Sequence, residues 1–379
     1  MPDYNKEALK RHKELGGKIS ITLKDDLNSK DKLSTYYTPG VAAVSDFVAK
    51  HPEQTRDYTW TNNAVAVVSD GSAVLGLGNI GPEGALPVME GKAMLFKHFA
   101  NVDAVPLVLN VHTADQIVET VKALAPSFGG INLEDIAAPT CFEVEDRLKK
   151  ELEIPVFHDD QHGTAIVVLA GLINACKITG RNLSDAKIVI SGAGAAGTAI
   201  IKLLHLYAKP RMFVTDSKGI ISKNRSDLNE EKKSLLAMTN LSGVDGSLAD
   251  ILAEGADIFI GVSKGGILTP EMVTSMDKNP IIFAMANPEP EIMPEKALAA
   301  GAAVVATGRS DFPNQINNAL VFPGIFRGAL DNKVHHITDN HKIKAAEALA
   351  QLVDSPTSAY IIPSVLDQKV VPAIAKIIT

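Results

Sequence analysis

The sequence predicts an α/β protein made of two consecutive parallel-sheet domains. Short apolar runs alternate with helical runs along almost the whole chain, and this alternation is typical of α/β layering. Several apolar runs are continuous, as expected for strands that are buried on both faces of a sheet. Apolar residues make up 46% of the chain and charged residues 21%, so there is enough apolar material for large cores.

The first domain is predicted to hold four strands. They lie at 64–70, 104–110, 129–135 and 154–160. The helices between them are predicted at 90–100, 113–125 and 141–152. Thr113 is the expected N-cap of the second of these helices. A long apolar helix at 163–179 follows, and we expect it to be buried between the two domains.

The second domain is predicted to hold five strands of one parallel sheet. They lie at 187–192, 211–216, 256–262, 280–286 and 302–308. The tail, from Ile343 onward, returns to helix, and we expect it to pack back on the first domain. We therefore place the domains at 1–161 and 162–330, with a helical segment at 331–379.

Charge and composition exclude several classes of function. The net charge of −7 gives no indication of a nucleic-acid or anionic-membrane partner. No uninterrupted apolar run reaches the roughly eighteen residues of a membrane span, and the first residues lack the apolar core of a signal peptide. The two cysteines, Cys141 and Cys176, suggest no disulfide framework. We therefore expect a cytoplasmic enzyme that acts on a small molecule.

Two segments match the spacing G-x-G-x-x-G, and the second has the full context of a dinucleotide site. "GAGAAG" (192–197) is followed by a helical run at 198–209 and by a strand that ends at Asp216. This order of glycine turn, helix, strand and acid predicts a Rossmann-type, doubly wound domain. The candidate cofactor-binding residues are Gly192, Ala193, Gly194, Ala195, Ala196 and Gly197. Asp216 would accept from a ribose 2′-hydroxyl and favours NAD, although Lys218 nearby keeps NADP open.

The first match, "GLGNIG" (76–81), lacks that context. Pro82, Gly84 and Pro87 follow it, which predicts that no ordinary helix begins there. A tight turn is the simpler interpretation. Lys92 then falls on the predicted first turn of the next helix, where the helix dipole disfavours a cation. This placement indicates a functional lysine. The loop at 76–81 would then form a wall of the site and let a small molecule reach Lys92.

Carboxylates lie at the ends of two predicted strands. Glu134 and Asp135 end the third strand, and Asp159 and Asp160 end the fourth. Open α/β sheets place their sites at these ends. Buried charges need compensation, and oxygen ligands suit Mg²⁺ or Mn²⁺. Spacing alone does not separate this metal site from acids that cap the following helices.

Two histidines flank the second pair of acids. No further His or Cys stands at a zinc spacing from His158 and His162. We therefore expect these two side chains to make hydrogen bonds.

Taken together, the motifs "STYYTPGVA", "VLGLGNIGPEGALPVMEGKAMLFK", "NLEDIAAP", "FHDDQHGTA", "GAGAAG" and "MANPEPE" resemble those of the malic enzymes in their short bacterial form. The likeness runs from about residue 10 to 330. It implies oxidative decarboxylation of L-malate to pyruvate and CO₂, with a nicotinamide cofactor and Mg²⁺ or Mn²⁺. It also implies a homodimer.

The resemblance assigns roles residue by residue. Tyr37 matches the proton-donating tyrosine, with Tyr36 as its nearest rival, and Lys92 matches the lysine that acts as base. The implied metal ligands are Glu134, Asp135 and Asp160, with Asp159 as a further acid of the site. The implied contacts to substrate or nicotinamide are Asn287, Asn317 and Asn318.

The chain departs from the larger family members at one position. Those members have an arginine that clamps a malate carboxylate, whereas this chain has Ala73, Val74 and Leu75 before Gly76. Another group, for example the backbone of the glycine loop, must then hold that carboxylate.

The roles combine into a mechanistic hypothesis with open alternatives. Lys92, neutral because a nearby cation and burial lower its pKa, would take the C2 hydroxyl proton, and Tyr37 would later protonate C3. The closest rival function is an oxaloacetate decarboxylase of the same fold. A regulatory protein that only binds NAD is a second rival. Malolactic activity is disfavoured because that group resembles longer chains.

Overall fold

The computed structural model describes residues 4–379, and parallel sheets dominate it. A four-stranded sheet forms the first half of the chain and a six-stranded sheet forms the second half. The predicted α/β fold class is confirmed.

Four helices precede the first sheet. They are α1 (Tyr4–Leu15), α2 (Lys30–Tyr36), α3 (Val41–Lys50) and α4 (Thr55–Tyr58). None of these four helices has a buried residue. We call residues 4–50 the N-terminal arm. Its contacts with the rest of the chain include Lys18, whose Nζ donates to the carbonyl of Pro87 at 2.6 Å, and Phe47, whose ring centroid lies 4.9 Å from that of Tyr58.

The first sheet has the strand order β2-β1-β3-β4 and is parallel throughout. Its strands are β1 (Ala64–Ser69), β2 (Asp103–Val108), β3 (Gly130–Leu133) and β4 (Val156–His158). All six residues of β1 are buried, as its continuous apolar sequence predicts. Leu133 and His158 are register partners, so the residues that follow β3 and β4 emerge side by side.

Three helices flank the first sheet. They are α5 (Gly81–Ala100), α6 (Ala114–Leu124) and α7 (Thr140–Glu151). Thr113 caps α6 as predicted, because its side chain accepts from the backbone N–H of Gln116.

The prediction that no helix begins after the first glycine loop is wrong. Helix α5 begins at Gly81, with Pro82 in its first turn and Pro87 inside it. Pro82 is tolerated because a first-turn N–H has no intrahelical acceptor. Pro87 lies on the exposed face, where water can satisfy the carbonyl that it leaves unbonded. Lys92 therefore lies in the middle of a helix, and the dipole argument for its function does not apply.

A π-helical turn (Asp159–Gly163) leads into the long apolar helix α8 (Thr164–Thr179). Together they are long and apolar enough to cross a membrane. However, 67% of an 18-residue apolar stretch within Asp159–Thr179 is buried inside the protein. Asn174 of α8 donates to the carbonyls of Ala350 and Ile361, at 2.9 Å each. The helix is thus a core helix, as predicted.

The second sheet has the order β10-β9-β8-β5-β6-β7. Its strands are β5 (Lys187–Ser191), β6 (Arg211–Asp216), β7 (Gly219–Ile220), β8 (Ile258–Gly261), β9 (Ile281–Ala284) and β10 (Val304–Thr307). The associated helices are α9 (Ala195–Tyr207), α10 (Glu230–Leu235), α11 (Leu248–Ala253), α12 (Pro270–Ser275) and α13 (Pro294–Ala299). The five predicted strands are parallel, and β7 is an antiparallel addition that the sequence did not predict. Strand order reverses between β5 and β8, which makes the sheet doubly wound.

Three helices close the chain, of which the first packs on α5 of the first domain and the second packs on α8 and α9. They are α14 (Phe322–Asp331), α15 (Asp339–Gln351) and α16 (Val370–Ala375). Phe322 of α14 lies against Phe96 of α5, with ring centroids 4.6 Å apart. Arg327 Nη1 donates to Asn63 Oδ1 at 2.7 Å. The domain boundaries at 161/162 and 330/331 stay predictions.

Candidate active site

The acids predicted at the ends of two strands form one group. Glu134 and Asp135 follow β3 directly, and Asp159 and Asp160 follow the adjacent β4. One carboxylate oxygen from each of Glu134, Asp135 and Asp160 lies within 4.8 Å of the others. The backbone N–H of Asp135 also donates to Asp160 Oδ2 at 2.8 Å. Sheet register therefore brings the residues that follow β3 and β4 close to one another.

Lys92 extends from α5 into this group. Its Nζ lies 3.0 Å from Glu134 Oε1 and donates to Asp159 Oδ2. It also donates to Asn318 Oδ1 at 3.3 Å and lies 4.5 Å from the centroid of the Phe322 ring. The lysine is buried, so these contacts operate with little water between them.

Crowding of negative charge perturbs the acids. Burial, followed by the charge of Asp160, raises the pKa of Asp135 to about 7. Burial raises the pKa of Asp159 to about 6, although Lys92 opposes this rise. The pKa of Glu134 lies well above its usual range for the same reasons, burial first and Asp160 second. In the absence of a further cation these carboxyls tend to hold protons.

The predicted lowering of the Lys92 pKa requires a nearby cation and stays a prediction, because the residues of the chain by themselves act in the opposite direction. Burial acts to lower the pKa of Lys92, but the charges of Asp159 and Glu134 outweigh it and raise the pKa above its ordinary value. The ammonium form is held by the acids that surround it. A neutral Lys92 requires positive charge from outside the chain.

The acid group fits a divalent cation. Asp135 Oδ2 and Asp159 Oδ1 are buried and have no hydrogen-bond partner among residues 4–379. Asp135 also adopts a left-handed backbone with φ 53°, which is uncommon for a residue other than glycine and often occurs at functional sites. Oxygen-only donors with raised pKa values and unused lone pairs suit Mg²⁺ or Mn²⁺.

The π-helical turn lets the second pair of acids reach the group. A Cβ atom on Gly163 would lie 2.0 Å from Asp159 Oδ1 and 3.0 Å from the Cβ of Asn318. Only glycine leaves room for Asp159 at this point. The turn therefore depends on a residue without a side chain next to the site.

The second glycine loop has the close contacts expected of a dinucleotide turn. Gly192 has φ 117°, and a Cβ there would meet the carbonyl of Val262 at 2.8 Å. A Cβ on Gly197 would lie 1.9 Å from the carbonyl oxygen of Gly192. Helix α9 begins at Ala195, so its N-terminus follows the loop directly. This arrangement suits a bound pyrophosphate.

Asp216 ends β6 as predicted, but its carboxylate is already fully engaged. Oδ1 accepts from the backbone N–H of Lys218 at 2.9 Å and from Arg225 at 2.8 Å. Oδ2 accepts from Arg225 at 3.1 Å and from Lys232 at 2.6 Å. Burial opposes ionisation, but the bonds from Arg225 and Lys232 prevail and lower the pKa of Asp216 to about 2. A carboxylate offers about four lone-pair sites, and all four are in use.

Comparison with known proteins gives the family. Residues 16–149 match the malic enzyme N-terminal domain, and residues 161–378 match the malic enzyme NAD binding domain. The chain belongs to the malic enzyme family. It is 58% identical to the bifunctional malic/malolactic enzyme of Bacillus subtilis, over 98% of this chain and 91% of that protein.

Other relatives carry different cofactor names. The NADP-dependent malic enzyme of Halomonas elongata is 46% identical, over 94% of this chain and 84% of that protein. The crystal structure of the NAD-dependent malic enzyme from Thermotoga maritima aligns with a TM-score of 0.95 and 51% identity, covering 98% of both chains. The malic enzyme fold thus extends over the whole described chain.

The asparagines of this malic enzyme chain divide between the acid group and other places. Asn318 contacts Lys92. Asn317 instead caps a 3₁₀ turn, because its Oδ1 accepts from the backbone N–H of Ala319 at 2.8 Å. Asn287 is exposed beyond the end of β9. The structure brings only Asn318 of the three into contact with the lysine and the acids.

The structure does not bring the two tyrosines to the malic enzyme acid group. Tyr36 and Tyr37 lie at the end of α2, 55% and 67% exposed. Tyr36 Oη donates to Asp25 Oδ2 at 2.6 Å, and this bond raises the pKa of Tyr36. Within residues 4–379 neither ring makes a hydrogen bond to the acid group. The sequence motif did not reveal this, since it carries no information on where the arm lies.

The histidines flanking the malic enzyme acids differ in their partners. His162 Nε2 bonds Glu145 Oε2 at 2.9 Å, as the hydrogen-bonding interpretation predicts. The ring nitrogens of buried His158 have no partner in the described part of the chain, so that prediction is wrong for this ring.

Glu145 is a supporting residue that the sequence analysis missed. Besides His162, it accepts from the backbone N–H of His158 at 3.1 Å and from Gln161 at 3.3 Å, and its Oε1 forms an ion pair with Lys149 Nζ at 2.5 Å. Burial opposes its ionisation, but the charges of His162 and Lys149 prevail and hold the pKa of Glu145 well below its usual range. The available signal was a charged residue on the buried face of α7, between Val144 and Leu148.

Proposed function

We propose that this chain catalyses the metal-dependent oxidative decarboxylation of L-malate to pyruvate and CO₂ with reduction of NAD or NADP. One observation carries the proposal. Lys92 and the three clustered acids meet in a buried group at the sheet edge of a malic enzyme chain. A base beside a cation site is the chemistry that oxidation of a 2-hydroxy acid needs.

Glu134, Asp135 and Asp160 would hold Mg²⁺ or Mn²⁺. A bound ion would act as a Lewis acid on the C2 oxygen of the substrate. Asp159 contacts Lys92 and has a free buried oxygen, so it would complete the site without displacing the lysine. The side chain of Asn318 and the backbone of the first glycine loop (76–81) would hold a malate carboxylate in place of the missing arginine.

Lys92 would take the proton of the C2 hydroxyl at Nζ. Lys92 Nζ donates to Asp159 Oδ2, and a bound cation would favour loss of that proton because its charge offsets the acids that hold the ammonium form. Burial of the pair excludes water that would otherwise compete for the proton.

The loop Gly192–Gly197 would hold the dinucleotide, whose nicotinamide would accept the hydride from C2. We propose that both NAD and NADP are accepted. The engaged Asp216 has no lone pair left for a ribose hydroxyl, and its charge is offset by Arg225 and Lys232. Lys232 and Lys218 retain N–H donors for a 2′-phosphate.

We propose a cytoplasmic homodimer in which the partner supplies the tyrosine. The arm has no buried residue in its helices and exposes many apolar side chains. They include Tyr4, Leu9, Leu15, Ile21, Leu23, Leu27, Tyr36 and Tyr37. Such a surface is expected to be covered by protein. A second copy that covers it would place Tyr36 or Tyr37 of one protomer near Lys92 of the other, to protonate C3.

Two further activities use the same site. Malolactic conversion of malate to lactate gains support from the B. subtilis relative, which is named for both reactions and is close to this chain in length. The length argument against this activity is therefore wrong. Oxaloacetate decarboxylation without redox chemistry has no comparable support among the relatives named above.

One set of assays tests these proposals. Malate is supplied with NAD or NADP and Mn²⁺, and absorbance at 340 nm and the products are followed with and without EDTA. The expected result is an increase in absorbance at 340 nm that EDTA abolishes, together with the formation of pyruvate. Lactate without growth at 340 nm would indicate the malolactic reaction, and turnover of oxaloacetate alone would indicate the lyase.

A further inference from the structure

A second buried carboxylate lies in the nucleotide-binding half of the chain. Glu291, between β9 and α13, is 0% exposed. Its Oε1 accepts from the backbone N–H of Ser263 at 3.1 Å, and its Oε2 accepts from that of Ala286 at 3.0 Å. Ser263 follows β8 and Ala286 follows β9. One side chain therefore joins the two loops that leave the central strands.

The surrounding backbone is shaped around this carboxylate. A Cβ atom on Gly261, the last residue of β8, would lie 2.3 Å from the Glu291 carboxyl carbon. The backbone N–H of Leu268 donates to the Glu291 carbonyl at 3.0 Å, and that of Gly266 donates to the Pro290 carbonyl at 3.1 Å. The position of the charge is thus fixed by several independent contacts.

Glu291 has no counter-ion within residues 4–379. Burial raises the pKa of Glu291, and the backbone N–H groups from which its carboxylate accepts oppose this rise by favouring the ionised form. A buried carboxylate without a cation is costly to keep. A positive group from outside the chain would favour its ionised form.

The strand order indicates which partner would lie there. A dinucleotide binds across the carboxyl ends of the strands where their order reverses, here between β5 and β8. With the adenosine half on the β5–β6 side, beside Asp216, the nicotinamide half would lie over β8 and β9. The oxidised nicotinamide ring is cationic, and hydride transfer removes that charge.

We propose that Glu291 is a positioning residue that stabilises the oxidised nicotinamide ring over the reduced one. This inference rests on the proposed function only in taking a nicotinamide dinucleotide as the ligand. It assigns Glu291 a role in setting the relative affinities of the two redox forms of the cofactor.

The variant Glu291→Gln tests the charge with little change of shape. Dissociation constants for NAD⁺ and NADH are measured by calorimetry without malate or metal. We expect the preference for NAD⁺ over NADH to fall about tenfold, which corresponds to about 1.4 kcal/mol. Glutamine has one hydrogen-bond acceptor oxygen fewer than glutamate, and this loss should change the affinities for NAD⁺ and NADH equally. The ratio of the two dissociation constants therefore reports the effect of the charge alone.

Two further variants complete the experiment. Glu289→Gln removes an exposed charge from the same loop and should leave the ratio unchanged. Glu291→Asp keeps the buried charge and should preserve the ratio even where both affinities fall. If Glu291→Gln weakens the binding of NAD⁺ and NADH equally, the residue has only a structural role and the proposal is overturned. A loss of preference in Glu291→Asp would also overturn it, whether or not Glu291→Gln folds.

The binding ratio is independent of malate turnover. A chain that binds both redox forms but does not oxidise malate would contradict the proposed function alone. A chain that oxidises malate with an unchanged ratio in Glu291→Gln would contradict this inference alone.

Discussion

At the scale of single residues, the balance of charge around Lys92 decides what the site can do. One ammonium faces Glu134, Asp135, Asp159 and Asp160. The acids hold its proton until an added cation compensates them. The same residues would therefore bind the ion and control when the lysine becomes a base.

Replacing Lys92 by alanine removes the proposed base. We expect kcat for malate to fall about a thousandfold or more, because general bases contribute on this order. Cofactor affinity, measured by fluorescence titration, should stay within about twofold. Lys97→Ala, an exposed position on the same helix, is the control. Malate oxidation at the wild-type rate in Lys92→Ala would remove the lysine from the mechanism.

Lys232 offers a test of the engaged Asp216. We expect Lys232→Met to weaken NADP binding about tenfold, since a charge-assisted hydrogen bond contributes about 1.5–3 kcal/mol, and to leave NAD binding within about threefold. Lys233→Met, on the same helix and paired with Glu230, is the matched control. Calorimetric titration with the two cofactors measures both effects. A chain that excludes NADP before mutation would show that Asp216 still rejects the phosphate.

Sequence could locate the acids but not all of their partners. The four acids Glu134, Asp135, Asp159 and Asp160 follow adjacent strands, so the strand order predicts that they lie near one another. The engagement of Asp216 depends on side chains 9 and 16 residues further along, which no local pattern reveals.

At the scale of elements, a short irregular turn carries the second pair of acids. The π-helical turn Asp159–Gly163 joins β4 to α8. Glu145 of α7 bonds this turn at Gln161 and His162, and it also accepts from the backbone N–H of His158 just before the turn. A prediction based on regular periods has no category for such a turn. Helix α5 shows the converse error. Its two prolines predict a break in the helix, although the helix is regular and begins at Gly81.

Glu145→Gln should loosen this turn. We expect Mn²⁺ affinity to fall about tenfold or more, because partners that orient ligands contribute on this order. Thermal stability should also fall, since Lys149 and His162 lose their buried counter-charge. Glu143→Gln, exposed on the same helix, is the control. Calorimetry and thermal melts measure the two effects, and unchanged metal affinity would contradict the supporting role.

At the scale of the whole molecule, the acid group couples stability to pH and to metal. A carboxyl with a raised pKa binds more protons in the folded state than in the unfolded state. Stability from that group therefore falls as pH rises from the unfolded value towards the folded one. For Asp135 this window runs from about pH 4, its ordinary pKa, to about pH 7.

Asp135→Asn isolates this effect. We expect the ion-free wild type to lose stability relative to the variant as pH rises from 5 to 8, because only the wild type must give up the bound proton. Added Mn²⁺ should stabilise the wild type more at pH 8 than at pH 5. Urea unfolding at both pH values measures the difference. If the difference in the free energy of unfolding between the two proteins is the same at both pH values, the raised pKa of Asp135 is contradicted.

Mixed dimers test where the tyrosine comes from. Lys92→Ala and the double variant Tyr36→Phe, Tyr37→Phe should each be inactive alone. Mixing them after dissociation should restore activity, because one site of each hybrid then combines an intact lysine with an intact tyrosine. A mixture that stays inactive while hybrids form would place both groups in one chain.

Helix α8 also has a consequence during synthesis. One of its partners, α15, begins about 160 residues after α8 ends, so in a growing chain the face of α8 that α15 covers stays exposed after α9 has formed. Translation at about 5–20 residues per second makes that interval roughly ten to thirty seconds. Ribosome-associated chaperones should therefore bind nascent chains of this protein most strongly between the emergence of α8 and that of α15.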